Sequence, residues 1–365
     1  MFRVPQTTWG AGEHNLKELN PPLSKEPCGF KSCPGHCSLR SADVKVPVVD
    51  LSGPSDRAAI ELDRACSEVG FVQVVGHGLD AEVERAAWEC ARQFFDLPER
   101  DKLAVAIPPG DAYGYGPYRV ERLASSLGVD TPPDLKETFS IGPAAAPPGL
   151  LADDPAAAFS FSPNRWPGAL PEMERIMRAY YDDLAGLVDR VLALMAAALG
   201  LDAGHFTPLT DQHTSALRLL RYPDLSGTPT EPGQLRAGAH SDYGTLTLLR
   251  QDDAPGGLEM LAADDRWIGV PAVKGAYVVN IGDALERWTN GRWRSTLHRV
   301  ALPPADATGS TERQSLAFFH NANWDAVIDC LEPCRPADPA DLPPPITAGR
   351  HLMEKFRRTQ SDSPR

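Results

Sequence analysis

Apolar positions along the chain follow two periods, and the change from one to the other divides it. Up to about residue 212, most apolar stripes recur every three to four residues, the spacing of helices with one buried face. Ala59, Leu62, Cys66 and Val69 form such a stripe behind a candidate N-cap, Asp56, and Gly70 ends it. Val83, Ala87, Cys90, Ala91 and Phe94 form a second behind Asp80, and a further helical turn begins at Leu97-Pro98. The longest stripe starts at Pro171 and runs through Met173, Ile176, Met177, Tyr180, Leu184, Leu187, Val188, Val191 and Met195 to Gly200. Proline is tolerated in a first helical turn, where its missing N–H has no intrahelical partner. A long scaffold helix follows, with its Met and Tyr positions as core. Two short runs, Val46–Leu51 and Phe71–Val75, predict strands within this half. From residue 213 strand-like runs dominate, over Ala216–Tyr222, Gly244–Arg250, Gly257–Met260, Trp267–Val270, Ala276–Ile281, Thr296–Leu302 and Gln314–Phe319. Short strands separated by turns predict a sandwich, barrel or jelly roll. The expected class is mixed α+β.

Five segments follow from this pattern. Residues 1–45 are expected to form a disordered tail and 46–150 an N-terminal region. A linker and the long helix occupy 151–212, the linker being rich in Pro, Ala and Gly. The β-rich core spans 213–335, and 336–365 form a C-terminal tail or helix.

Composition narrows the function classes. A formal charge of −13 argues against nucleic acid or an anionic membrane surface as partner, since both need basic surface. No uncharged apolar run reaches the length of a membrane span, and the first residues lack the apolar stretch of a secretory signal. Seven cysteines, odd in number and mostly scattered, fit a reducing cytoplasm. Cys28, Cys33, His36 and Cys37 lie close enough in sequence to hold zinc. Their spacing does not match paired knuckles, and the flanking prolines favour a ligand-free tail.

Candidate chemistry centres on His240-Ser241-Asp242. On a strand, residues two apart share a face, so His240 and Asp242 project together while Ser241 points away. Asn290-Gly291 is a tight-turn signal that brings the following strand, with His298, back toward them. Two histidines and one carboxylate leave the far side of a metal open, the arrangement of non-haem Fe(II) oxygenases. In Arg313-Gln314-Ser315 the same alternation puts Arg313 and Ser315 on one face. An inward arginine on an apolar strand is costly without an anionic partner, and its fork matches a carboxylate. A metal triad beside a carboxylate clamp predicts a cosubstrate with the shape of 2-oxoglutarate. His77, between two glycines, is expected to make a structural hydrogen bond in a turn. His320 is expected at the surface rather than in the pocket. The Tyr113–Arg122 loop, Phe139, Arg165, Phe318 and the segment after Asn321 are candidate substrate contacts, and the arginines point to a small carboxylated molecule.

From Val46 to about Pro333 the chain resembles the isopenicillin N synthase-like branch of the Fe(II)/2-oxoglutarate-dependent dioxygenases. The resemblance rests on Val46–Leu51, Gly70-Phe71 through Gly76-His77-Gly78, Pro132–Glu137, Leu217–Pro223, His240–Leu249, Asn280–Asp283, Thr289-Asn290-Gly291 with Ser295–Val300, and Arg313–Asn321. It implies a double-stranded β-helix (jelly roll) flanked by helices, with iron held by His240, Asp242 and His298. It also implies Arg313 and Ser315, assisted by Tyr222, on the distal carboxylate of 2-oxoglutarate, with O2 as co-reactant. The implied reaction is hydroxylation, desaturation or ring closure at an unactivated C–H of a natural-product intermediate, with release of succinate and CO2. Two alternatives stay open. Many plant relatives carry Asn where Leu220 stands, and Arg221-Tyr222-Pro223 is closer to isopenicillin N synthase itself. That enzyme uses no 2-oxoglutarate, and its equivalent clamp grips the substrate. The third reading is a non-catalytic protein that binds iron or a small acid.

Overall fold

In the computed structural model, which describes residues 45–361, strands and helices alternate through the first half of the chain. The Cys28–Cys37 cluster lies outside the described residues. Strand β1 (Val48–Asp50) pairs in parallel with β2 (Phe71–Val75), and helix α1 (Ser55–Glu68) forms the crossover. Gly70 joins α1 to β2 at φ +74°, and a Cβ there would lie 2.3 Å from the Arg294 carbonyl oxygen. Conformation and space both require glycine at that turn. Asp80 caps α2 (Ala81–Phe95), its carboxylate accepting from the amides of Glu82 at 2.8 Å and Val83 at 3.3 Å. Asp56 does not cap α1. That helix begins one residue earlier, at Ser55 behind Pro54, so Asp56 sits in its first turn, where a negative charge complements the helix dipole.

Next come α3 (Glu99–Leu103), β3 (Gly114–Gly116), β4 (Glu137–Ile141) and the single turn α4 (Leu150–Asp153). The strands β3 and β4 fall where the sequence pattern gives only an irregular loop and a motif. The long helix α5 (Met173–Ala198) buries Met177, Tyr180, Leu184, Val188, Val191 and Met195, and the short α6 (Thr207–Thr210) follows. Beyond it lie β5 (Ala216–Tyr222), β6 (Ala237–His240), β7 (Leu246–Gln251), β8 (Leu258–Leu261), β9 (Trp267–Gly269) and β10 (Tyr277–Ile281). The chain ends with α7 (Asp283–Trp288), β11 (His298–Val300), β12 (Arg313–His320), β13 (Val327–Ile328), β14 (Ile346–Thr347) and α8 (Ala348–Ser361).

Two sheets build the core. The larger has the order β1-β2-β10-β7-β12-β5-β4-β3, and the smaller β6-β11-β8-β9. Alternation gives each strand of the large sheet two distinct faces. Leu217, Leu219, Leu246, Leu248, Val279, Ile281, Leu316 and Phe318 point to one side and join the main core with α5. On the other side Leu220, Tyr222 and Ala317 pack against Ala237 and Val300 of the small sheet. The two sheets thus close on each other as a jelly roll, with helices covering the outer face of the large sheet. Among the described residues no helix is long and apolar enough to cross a membrane. Helix α8 folds back beside the metal motif: Phe356 packs edge-on to Phe159 and Tyr243, and Lys355 reaches Asp283 at 2.5 Å.

Candidate active site

His240 and His298 are direct partners across the β6–β11 pair, with ring centroids 4.4 Å apart. Asp242 is not on the strand, contrary to the alternation argument. Strand β6 ends at His240, and the chain turns so that the Asp283 amide donates to the Asp242 carbonyl at 2.8 Å. The carboxylate still converges: Asp242 Oδ1 lies 3.9 Å from His240 Nε2 and 3.7 Å from His298 Nε2. The turn achieves what a straight strand was expected to do.

The remaining atoms of the three side chains are committed elsewhere. His240 Nδ1 lies 2.8 Å from the Gly238 carbonyl and His298 Nδ1 3.1 Å from that of Thr296. A carbonyl only accepts, so each Nδ1 carries a proton, which leaves Nε2 as the nitrogen on each ring that can bind a metal. Asp242 Oδ2 accepts from Thr247 Oγ1 at 2.6 Å and Asn280 Nδ2 at 2.7 Å, leaving Oδ1 for the histidine side. Burial drives the His240 imidazole well below its usual pKa, and the neighbouring His298 adds to this. Burial pushes the Asp242 carboxyl up, but the two histidines and two hydrogen bonds more than reverse it. Two imidazole nitrogens and a carboxylate oxygen, all within 4.8 Å of one another, are a donor set that fits a divalent cation.

Thr247 and Asn280 identify the metal-facing side of the large sheet. Strand pairing sets Thr247 opposite Phe319 and Asn280 opposite Thr247, so Phe319, Ala317, Ser315 and Arg313 face the same way. On β5 the partners of Arg313 and Ser315 are Tyr222 and Leu220. The structure therefore brings Arg313, Ser315 and Tyr222 onto one wall of the inter-sheet space. Val300, which packs on Leu220, Tyr222 and Ala317, is two residues beyond His298, roughly 7 Å along the strand. Arg313 is 3% exposed. Its Nη1 donates to Asp252 Oδ1 at 3.0 Å and its Nη2 to Gln251 Oε1 at 2.5 Å, but its buried Nε has no acceptor. One uncommitted edge of the guanidinium is free to receive a carboxylate.

Other sequence candidates fall elsewhere. His77 accepts from the Leu79 amide at 3.2 Å, the expected turn bond. His320 is neither at the surface nor in the pocket. It lies on the helix side of β12, fully buried, with Nδ1 2.6 Å from Thr245 Oγ1. Phe139 and Phe318 also belong to the helix-side core and do not face the metal. Arg119, Arg122 and Arg165 are each paired with an acid: Glu231, Asp130 and Asp111. The sequence reading missed a buried ion cluster on the β4–β5 edge. Lys136 contacts Asp134 at 3.0 Å and Glu121 at 3.2 Å, and Glu121 also binds Arg218. Asp134 in turn accepts the Gly238 amide at 2.9 Å, tying the cluster to the strand that carries His240. The alternation that flagged Arg313 flags Arg218, Thr247 and Asn280 equally, as polar residues in apolar strands.

Comparison with known proteins agrees with this geometry. Residues 46–169 match the family of the N-terminal region of the non-haem dioxygenase in morphine synthesis. Residues 214–322 match the 2OG-Fe(II) oxygenase superfamily. A validamycin A dioxygenase from Streptomyces hygroscopicus subsp. limoneus is 33% identical over 318 residues, covering 85% of each chain. A 2OG-Fe(II) oxygenase family protein from Caulobacter crescentus superposes with TM-score 0.74 at 34% identity, covering 86% of this chain and 99% of that one. Neurospora crassa T7H, crystallised with alpha-KG and thymine, gives TM-score 0.75 at 27% identity, covering 89% and 99%. With likeness running through both halves of the chain and the jelly roll intact, the protein belongs to the 2OG-Fe(II) oxygenase superfamily and is an Fe(II)- and 2-oxoglutarate-dependent oxygenase.

Proposed function

We propose that His240, Asp242 and His298 hold the iron, that Arg313, Ser315 and Tyr222 hold the distal carboxylate of 2-oxoglutarate, and that the substrate is a small carboxylated metabolite. The observation that carries the assignment is the pair of side-chain sets on one inter-sheet space: three convergent donors at one end, and a buried arginine with a free Nε at the other. Iron held there with 2-oxoglutarate and O2 would supply the oxidising power for attack on a substrate C–H bond, with succinate and CO2 as co-products. The chain's residues supply position and dryness. Thr247 and Asn280 fix Asp242, the Gly238 and Thr296 carbonyls fix the histidine tautomers, and Arg313 sets the register of the cosubstrate.

For the substrate, Arg218 supports an anionic group, while Lys136, Asp134 and Glu121 beside it pair among themselves. Arg218 shares the metal-facing side of β5, and its buried Nε has no acceptor even though Glu121 occupies Nη2. A reducing compartment is in keeping with Cys66, Cys90, Cys330 and Cys334, all free thiols. The test is stoichiometry with a panel of small carboxylic acids. One succinate per O2, dependent on both substrate and 2-oxoglutarate, is the expected result. O2 uptake with a substrate but without succinate would assign the clamp to the substrate and the enzyme to the oxidases.

A further inference from the structure

A second arginine shares the corner occupied by Arg313. Arg236 precedes β6 and, at 0% exposed, is among the largest fully buried side chains of the described residues. Its Nη1 donates to the carbonyls of Pro255 at 2.8 Å and Gly256 at 3.0 Å, and its Nη2 to that of Thr311. Its guanidinium carbon stands 6.0 Å over the ring of Tyr222. Among the described residues it forms no ion pair. Asp252, the nearby acid, is bound to Arg313, and Asp224 accepts hydrogen bonds from Ser226 and Thr311 at the surface. Burial lowers the pKa of Arg236, and the charge of Arg313 lowers it further. Nε of Arg236, like Nε of Arg313, is buried without an acceptor.

A fully buried cation with only neutral acceptors is expensive unless an anion completes the site. Two guanidinium groups repelling each other in one desolvated corner, each with an idle N–H, raise that cost. The carbonyls that Arg236 holds belong to the segments on either side of Arg313. Pro255 and Gly256 follow Asp252, Gly257 approaches Arg313 Nη1, and Thr311 lies two residues before Arg313. Arg236 therefore fixes the frame in which Arg313 is presented and adds positive potential behind it.

We propose that Arg236 is a positioning residue for the cosubstrate: a second buried positive charge that, with Arg313, selects a 2-oxo acid carrying a distal carboxylate. The inference rests on the assignment of Arg313 to that carboxylate. Arg236 acts from behind through charge and frame, while Arg313 makes the contact.

The test is calorimetric binding of two ligands to the Fe(II)-loaded protein under anaerobic conditions: 2-oxoglutarate, and 2-oxopentanoate, which has the same carbon chain without the distal carboxylate. Arg236→Gln removes the charge, and its shorter amide offers two N–H donors to the three carbonyls of Pro255, Gly256 and Thr311 that Arg236 holds. Its affinity for 2-oxoglutarate is expected to fall about tenfold to a hundredfold, the scale of a charge-assisted interaction, while 2-oxopentanoate binding stays within about twofold. Arg236→Lys, which restores the charge, is expected to stay within about fivefold of wild type for 2-oxoglutarate, and it carries the test if the glutamine variant does not fold. Equal losses for both ligands in the glutamine variant, or no loss for either, overturn the proposal. So does a lysine variant that loses as much 2-oxoglutarate affinity as Arg313→Met. Arg313→Met separates the two claims. If it leaves 2-oxoglutarate binding intact, the clamp assignment fails. If it abolishes the preference for 2-oxoglutarate while Arg236→Gln does not, only the role of Arg236 fails.

Discussion

Thr247→Val removes one hydroxyl and no volume, and it tests how much of the metal site lies outside the three ligands. Asp242 is 5% exposed, and Thr247 Oγ1 donates to its Oδ2 at 2.6 Å, beside the 2.7 Å bond from Asn280. A hydrogen bond to a buried charged group contributes about 1.5–3 kcal/mol. At about 1.4 kcal/mol per decade, its loss lowers metal affinity roughly tenfold to a hundredfold, the range typical of outer hydrogen-bonding partners. Because Asn280 remains bonded to the same oxygen, the lower part of that range is expected. Asn280→Ala has a similar effect, and the double variant is not additive because both donors share one acceptor. Both donors favour the ionised carboxylate, so their removal raises the Asp242 pKa. The acid limb of metal binding then moves to higher pH, not lower. Anaerobic calorimetry with Fe(II) or Mn(II) at several pH values reads both quantities, and the melting temperature of metal-free protein checks the fold. A Thr247→Val affinity within twofold of wild type and an unmoved acid limb would refute the reasoning.

Three further outcomes follow from particular contacts. In Gly282→Ala the new Cβ would lie 2.3 Å from the Gly244 carbonyl oxygen, a backbone atom in the turn after Asp242. A loss of roughly 1–3 kcal/mol in denaturant unfolding is expected, together with weaker metal binding, and unchanged stability would show that the turn yields freely. His320 is held neutral, well below its usual 6.5, by burial and by neighbouring His213. As pH falls through 6.5 the unfolded chain takes up this proton first, so stability is lost on acidification, by at most about 1.4 kcal/mol per pH unit for one proton. Denaturant titrations at pH 7 and 5.5 should show a smaller loss in His320→Gln, and parallel losses would exclude the histidine as a cause. Saturating divalent metal should raise the melting temperature of wild type, by about 2.7 kcal/mol of stability at a hundred times Kd. Asp242→Ala should show no such rise, and an equal rise there would place the metal elsewhere.

Much of this site is legible in the sequence because it is written in alternation. Arg313 and Ser315 are two apart on a strand that the structure places at Arg313–His320, and the expected inward face is the one they occupy. Asp242 was expected for a reason that does not hold, since the strand stops at His240 and a turn delivers the carboxylate. Backbone pairing with Asp283, forty-one residues later in the chain, shapes that turn, and no local pattern encodes it. The strands β3 and β4 escaped because Gly114–Gly116 has almost no side chains to alternate and Glu137–Ile141 is buried on both faces. His320 and Phe318 show the limit of period two. It says which residues share a face but not which face meets the metal, and only the pairing of Thr247 with Phe319 decides that. The ion cluster of Glu121, Asp134, Lys136 and Arg218 is assembled from separate loops and strands, so Glu121, Asp134 and Lys136 look like ordinary surface charges in sequence and only Arg218 stands out, as a polar residue in an apolar strand. Burial pushes the Glu121 carboxyl up, yet Arg218 and Lys136 bring it down to about 2.

The proposed ternary site places iron on His240, Asp242 and His298, with 2-oxoglutarate reaching from the iron to Arg313. Anaerobic Fe(II) titration in the presence and absence of 2-oxoglutarate, followed by visible absorption, tests it most directly. The predicted result is a visible charge-transfer band that requires both components. It should vanish in His298→Ala, and in Arg313→Met it should need roughly tenfold to a hundredfold more 2-oxoglutarate. A protein that binds Fe(II) through the triad but develops no band with 2-oxoglutarate, or a band indifferent to Arg313, would contradict it.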